Sequence, residues 1–139
     1  MNKATLADGR RLRIEVLECP LASEDQRTLI SLWRSEWRKA DYDWIQSMNG
    51  DYSDSLSITS VVGRVDGAAA GTASVCYPRI DSEVAVVGSV LTHPEFRRLG
   101  VAQHLTRAVT DRAFAAGCSV SYLGATPMPQ SVYLRCGYR

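Results

Sequence analysis

A chain of 139 residues is the size of one domain and long enough to bury one substantial core. Its 16 Lys and Arg nearly cancel its 15 Asp and Glu, so the overall charge gives no electrostatic hold on a nucleic acid or a membrane surface. The four cysteines, Cys19, Cys76, Cys118 and Cys136, have no C-x-x-C spacing, which argues against a zinc site, and no metal is expected.

No apolar run approaches the roughly 20 residues of a membrane span. No long apolar stretch follows Met1-Asn2-Lys3-Ala4, so no signal peptide is read, and free thiols in a reducing cytoplasm are expected. Arg11 to Leu17 alternates polar and apolar residues and reads as a half-buried strand. Ser23-Glu24-Asp25-Gln26 has the form of a capping box, so a helix is predicted from Ser23. Leu29, Ile30, Trp33, Trp37 and Ala40 fall at helical spacing, and both tryptophans are read as core. Asp41 to Trp44 opens a short second helix that Asn49-Gly50 ends.

Leu56–Arg64 and Ala69–Tyr77 form a predicted hairpin about Asp66-Gly67. Val84–Leu91 is apolar along most of its length, as a central strand covered on both faces would be. A helix is predicted from Val101 to Ala116. Val101, Leu105, Ala108 and Val109 lie on one face, widened by Ala102, Ala113 and Ala116, and Gly117 closes it. Arg112 falls on that same apolar face with no evident reason. Ser119–Gly124 reads as the next strand. Thr126-Pro127 reads as an N-cap with proline at the first helical position, opening a last helix that Gly137 stops near Cys136.

The turn between Leu91 and Val101 carries the chemistry. A strand feeding a helix through a basic, glycine-containing turn suits a phosphate, because the first N–H groups of the helix have no partners of their own. Gly100 permits close backbone approach, Ala102 keeps the next turn slim, and Arg97 and Arg98 add charge. It is not a P-loop, lacking Gly-Lys-Ser/Thr, and not a Rossmann fingerprint, lacking the Gly-x-Gly start.

Arg97-Arg98-Leu99-Gly100-Val101-Ala102 resembles the Arg/Gln-x-x-Gly-x-Gly/Ala motif of the GNAT superfamily of acyl-CoA N-acyltransferases. Ala125-Thr126-Pro127-Met128 followed by Val132-Tyr133-Leu134-Arg135-Cys136-Gly137-Tyr138 resembles the family's Ala-Ser-Pro-x … Leu-Tyr-x-x-x-Gly-Phe segment. The predicted order β-α-α-β-β-β-α-β-α is similar to the family's. The resemblance implies an α+β fold, with a mixed, mostly antiparallel central sheet flanked by helices, in a single domain over 1–139. It implies acetyl-CoA as acyl donor and direct attack by a primary amine. Val90, Leu91 and Thr92 would then meet the pantetheine and thioester carbonyl, and Arg97, Arg98, Leu99, Gly100, Val101 and Ala102 the diphosphate. Tyr133 would be the general acid that protonates the leaving thiolate. The alternative is a non-catalytic acyl-CoA-binding regulatory domain of the same fold.

The family normally continues with a further strand after Gly-Phe. Its absence here reads either as a truncated product or as an open sheet edge that another chain supplies, as a second copy would in a homodimer. Val84 to Leu91 contains no carboxylate, so no general base is named; His93 is read as a turn residue and His104 as surface. Glu36, Asp41, Tyr42, Asp43 and Trp44 mix carboxylates with aromatics and are the candidates for recognising a cationic amine.

Overall fold

The structure is a computed structural model and describes residues 2–37, 42–123 and 130–139, with no side-chain description at positions 2, 42–44 and 130. Six strands form one sheet whose spatial order is their chain order: β1 (Asn2–Thr5), β2 (Arg11–Glu18), β3 (Leu56–Val65), β4 (Ala68–Pro78), β5 (Val84–Thr92) and β6 (Val120–Leu123). Every neighbouring pair is antiparallel except β5 and β6, which run parallel. The helices are α1 (Ser23–Trp37), α2 (Tyr42–Asn49), α3 (Val101–Ala115) and α4 (Gln130–Arg135), with a 3₁₀ turn at Pro94–Phe96.

Two cores lie on opposite faces of the sheet. On one, α1 and α2 bring Leu29, Leu32, Trp33 and Met48 against Ile58, Val62 and Leu91. On the other, α3 brings Val101, Leu105, Val109 and Ala113 against Val61, Ala73, Val75, Ala85 and Val87. The depth at which α3 sits is set by two glycines opposite each other, Gly63 and Gly71. A Cβ at Gly71 would lie 2.7 Å from the Leu91 carbonyl oxygen and 3.0 Å from Val101, and one at Gly63 would lie 2.8 Å from Leu12 and 3.2 Å from Leu105. The bare backbone lets the first turns of α3 lie close upon the sheet, beside the end of β5.

Several expectations need correction. The strand β1 is not predicted; Asn2-Lys3-Ala4-Thr5 has no apolar alternation, and pairing with β2 makes it a strand. The Ser23 capping box does not form, because the Gln26 N–H bonds to Ala22 O at 3.0 Å, so the helix already includes Ser23, and the Gln26 side chain donates to Leu21 O. Trp33 is buried, but Trp37 is 42% exposed at the last residue of α1. The strand β5 is covered on both faces only in its second half, where Val90 packs on the α3 side and Leu91 on the α1 side; in its first half Ala85 and Val87 are buried under α3 while Val84 and Val86 are half exposed on the other side. The Asp66-Gly67 turn does form, with φ of +50° and +83°. Beyond α3, Gly117 at φ +101° gives its N–H to Phe114 O, and Cys118 gives its own to Ala113 O, a Schellman closure. Arg112 now has its explanation, an ion pair with Glu18 at the end of β2.

Candidate active site

The strand β5 reaches α3 through a turn whose backbone is unusual. Residues Arg98 and Gly100 both take left-handed conformations, at φ +63° and +90°, flanking Leu99, whose carbonyl accepts the Ala7 N–H at 3.1 Å. Left-handed residues in such a turn gather successive N–H groups into a concavity that suits an anion. The helix proper begins at Val101, and its first bond runs from His104 N–H to Gly100 O at 3.2 Å. Gly100 supplies no side-chain cap and no acidic residue stands in the first turn, so the first N–H groups of α3 keep their donors for an incoming group, with the helix dipole behind them. A Cβ at Gly100 would meet nothing nearer than the His104 ring at 4.0 Å, so the space over the turn is open. An open cradle, free donors and no acidic residue in the first turn of α3 fit the diphosphate of coenzyme A.

The Arg97 guanidinium forms an ion pair with Glu36 near the end of α1. Both partners are well exposed, so the pair contributes little to stability and yields readily to a doubly charged competitor. The geometry therefore brings together two predicted residues assigned to different ligands. Arg98 is exposed, and Leu99 and Ala102 pack partly against the α3-side core.

The pairing of β5 with β6 runs from Val84↔Val120 to Val87↔Leu123, and β5 continues to Thr92. Just past that point β5 is irregular: its register with β4 shifts between Thr72↔Leu91 and Ser74↔Gly88, and Ser89 has φ +52°. This is a bulge, the device by which a strand bends and re-aims its backbone groups. Alternate residues of a strand direct their N–H and C=O to opposite neighbours. Part of the backbone over Gly88–Thr92, including the predicted Val90, Leu91 and Thr92, is thus turned away from β4. The sequence reading missed the bulge, although Gly88-Ser89 inside an apolar strand was a legible signal for one.

Tyr133 is buried and belongs to the same contiguous cluster as Val87 and Val90 of β5 and Val101 of α3. Its hydroxyl has no hydrogen-bond partner among the described residues. Burial, with Cys136 nearby, pushes its pKa above the ordinary phenol value, so it stays protonated and able to donate. The backbone holding it is well tied. Tyr133 O accepts N–H bonds from Cys136 at 3.0 Å and Tyr138 at 3.1 Å, and Arg107 of α3 caps α4 through Arg135 O at 2.9 Å. The Tyr138 hydroxyl lies 2.7 Å from Thr110 Oγ1 on α3 and 2.6 Å from Ser121 Oγ on β6, joining three elements.

His93 is a turn residue: its Nδ1 accepts the Glu95 N–H at 3.2 Å and caps the 3₁₀ turn. It also lines an open groove of about 420 Å³ beneath α1, with Arg27, Thr28, Ser31 and Arg64. That lining includes neither the phosphate turn nor Tyr133. His104 is half-buried in the first turns of α3 rather than fully at the surface. Asp41 lies outside the described residues, as do Ala125, Thr126, Pro127 and Met128 and the side chains of Tyr42, Asp43 and Trp44. Among the described residues no three His, Cys, Asp or Glu side chains group as metal ligands would, and no helix is long and apolar enough to cross a membrane.

A bulged strand beside an uncapped helix start, with a protonated phenol in the adjoining core, suits the acyl-CoA chemistry that the two sequence motifs imply. The sequence matches the acetyltransferase (GNAT) family over residues 21–138. The chain belongs to that family and is an acetyltransferase that uses acetyl-CoA. No curated protein matches it by sequence. Among solved structures it is similar to AAC(6')-Iy in complex with the bisubstrate analogue CoA-S-monomethyl-acetylneamine. That pair has a TM-score of 0.69 at 20% identity, covering 91% of each chain. It is similar to the GNAT domain of S. lividans PAT (TM-score 0.73, 18% identity, 99% of this chain and 87% of that one). It is also similar to glucosamine-6-phosphate N-acetyltransferase from Arabidopsis thaliana (TM-score 0.64, 17% identity, 91% of this chain and 92% of that one). At these identities the structural likenesses speak for the fold.

Proposed function

We propose that this chain transfers an acetyl group from acetyl-CoA to a primary amine by direct attack, with Tyr133 as general acid and Arg97 to Ala102 holding the diphosphate. The observation that carries the reading is the single cluster joining the bulged end of β5, the start of α3 and Tyr133. The turn and the first N–H groups of α3 bind the diphosphate and so fix the thioester's position along β5. Backbone N–H groups of Val90 to Thr92 donate to the thioester carbonyl and stabilise the negative charge that gathers on its oxygen. The free amine nitrogen bonds to the carbonyl carbon, the carbon–sulfur bond breaks, and the departing sulfur takes the Tyr133 proton. The amine's extra proton leaves to water, and solvent restores the phenol. No covalent enzyme intermediate forms. Free thiols in every described cysteine support a cytoplasmic location.

Tyr133→Phe tests the assignment. It keeps the ring and should leave the acetyl-CoA-induced rise in melting temperature unchanged. The catalytic constant should fall by the roughly 10²–10⁴-fold typical of a lost acid–base group. Equal turnover in the two proteins, measured as thiol release on one preparation, would remove Tyr133 from the mechanism.

A further inference from the structure

The acceptor-side surface of this chain carries a bare apolar strip. Ala85 and Val87 of β5 point into the core under α3, so Val84, Val86 and Gly88 point to the opposite face. The parallel register places Val120 beside Val84 and Tyr122 beside Val86 on that same face. These four side chains are 48%, 50%, 53% and 65% exposed in the order Val84, Val86, Val120, Tyr122. One strand inward the picture changes: Cys76 of β4, opposite Val86, packs partly under α1 and α2. The helical cover therefore stops short of the first half of β5 and reaches the strand only at Leu91.

The strip is not isolated. At four residue steps of about 3.3 Å each it runs about 13 Å along β5, and its upper end is Gly88, at the bulge. A Cβ at Gly88 would meet nothing within 4 Å. Among the described residues no side chain on this face of β5 or β6 is charged. Glu36, a candidate carboxylate in the sequence reading, is engaged by Arg97.

We propose that Val86 and Tyr122, with Val84 and Val120 below them, form the acceptor subsite, and that it selects a primary amine carrying an apolar or aromatic body rather than a polycationic aminosugar. This rests on the acetyltransferase reading above. Continuity with the bulge identifies the occupant: an amine nitrogen presented at Gly88 leaves its carbon chain lying along the strip. Among the described residues a polyhydroxylated, multiply charged acceptor would find no carboxylate on this face of the two strands, and only the Tyr122 hydroxyl to hydrogen-bond.

The test measures thiol release from acetyl-CoA with 2-phenylethylamine, ethanolamine and neamine as acceptors, each corrected for its free-amine fraction. The catalytic efficiency, kcat/KM, with 2-phenylethylamine should exceed that with ethanolamine or neamine by tenfold or more. Val86→Thr keeps the volume at an exposed site and Tyr122→Ser removes the ring. Both should raise KM for 2-phenylethylamine several-fold, tenfold for Tyr122→Ser, with the acetyl-CoA-induced melting shift unchanged. If thiol release persists but neamine is preferred, or KM does not move in either variant, the subsite is overturned while the acetyltransferase reading stands. Loss of the acetyl-CoA melting shift together with inactivity on every amine in the parent protein overturns both. A dimer that sediments at micromolar concentration and dissociates in Val86→Asp assigns the strip to a second copy and also overturns the proposal.

Discussion

Gly100 illustrates what one missing side chain does. Its φ of +90° favours glycine, and the space where a Cβ would stand is open. Gly100→Ala should therefore cost stability through backbone strain alone, about 1–2 kcal/mol. Gly100→Asp adds a negative charge over the free N–H groups and should abolish the acetyl-CoA-induced melting shift. Arg112→Ala is the control. It breaks the pair with Glu18 far along α3 and should lower the melting temperature slightly while the acetyl-CoA shift persists. Equal shifts in all three variants would mean that the diphosphate lies elsewhere. Glycine at this position was legible because few other residues fit a left-handed helix entry. The engagement of Arg97 by Glu36 was not, since the two stand 61 residues apart and nothing local in either segment announces the other.

The seating of α3 depends on the glycine pair beneath it. At Gly71 an added Cβ meets the Leu91 backbone oxygen of β5, which cannot rotate away, and the Val101 side chain of α3, so Gly71→Ala must shift the end of β5 and press on the start of α3. Overpacking of this kind costs about 1–3 kcal/mol. The urea midpoint should drop, and acetyl-CoA should bind more weakly even though residue 71 touches no ligand. A loss of stability with unchanged affinity would show that α3 is free to tilt without moving its first turn. The amphipathic pattern of α3 and the Asp66-Gly67 hairpin were plain in the sequence because period and turn chemistry are local properties. The short β1 was invisible, since its four residues are strand only by virtue of β2. The bare face of β5 was misread for a related reason: an apolar run says that side chains avoid water on average, and not which helix arrives to cover them.

Alkaline pH acts on the chain as a body. Burial pushes the Cys19 thiol up to about 11, with Cys76 close by adding to the shift, and raises Cys76, Cys118, Cys136 and Tyr133 in the same direction. The unfolded chain releases these protons first. Stability is thus fully present below pH 9 and falls as pH rises toward 11, with Cys19 alone accounting for on the order of 3 kcal/mol. Melting curves in reductant should be flat up to pH 9 and decline steeply above it. Cys19→Ala should give a shallower decline, and identical slopes would show that Cys19 ionises freely in the folded state. The agreement between the order of strands along the chain and their order in the sheet has a consequence for biosynthesis. A chain growing from its N-terminus on the ribosome never has to insert a strand between two that are already paired. Each new strand docks on the edge left by the last, and most of these closures are short, which favours rapid folding. The phosphate turn then emerges onto a platform of β1 to β5 already built to receive it, and Tyr133 follows once β6 has docked.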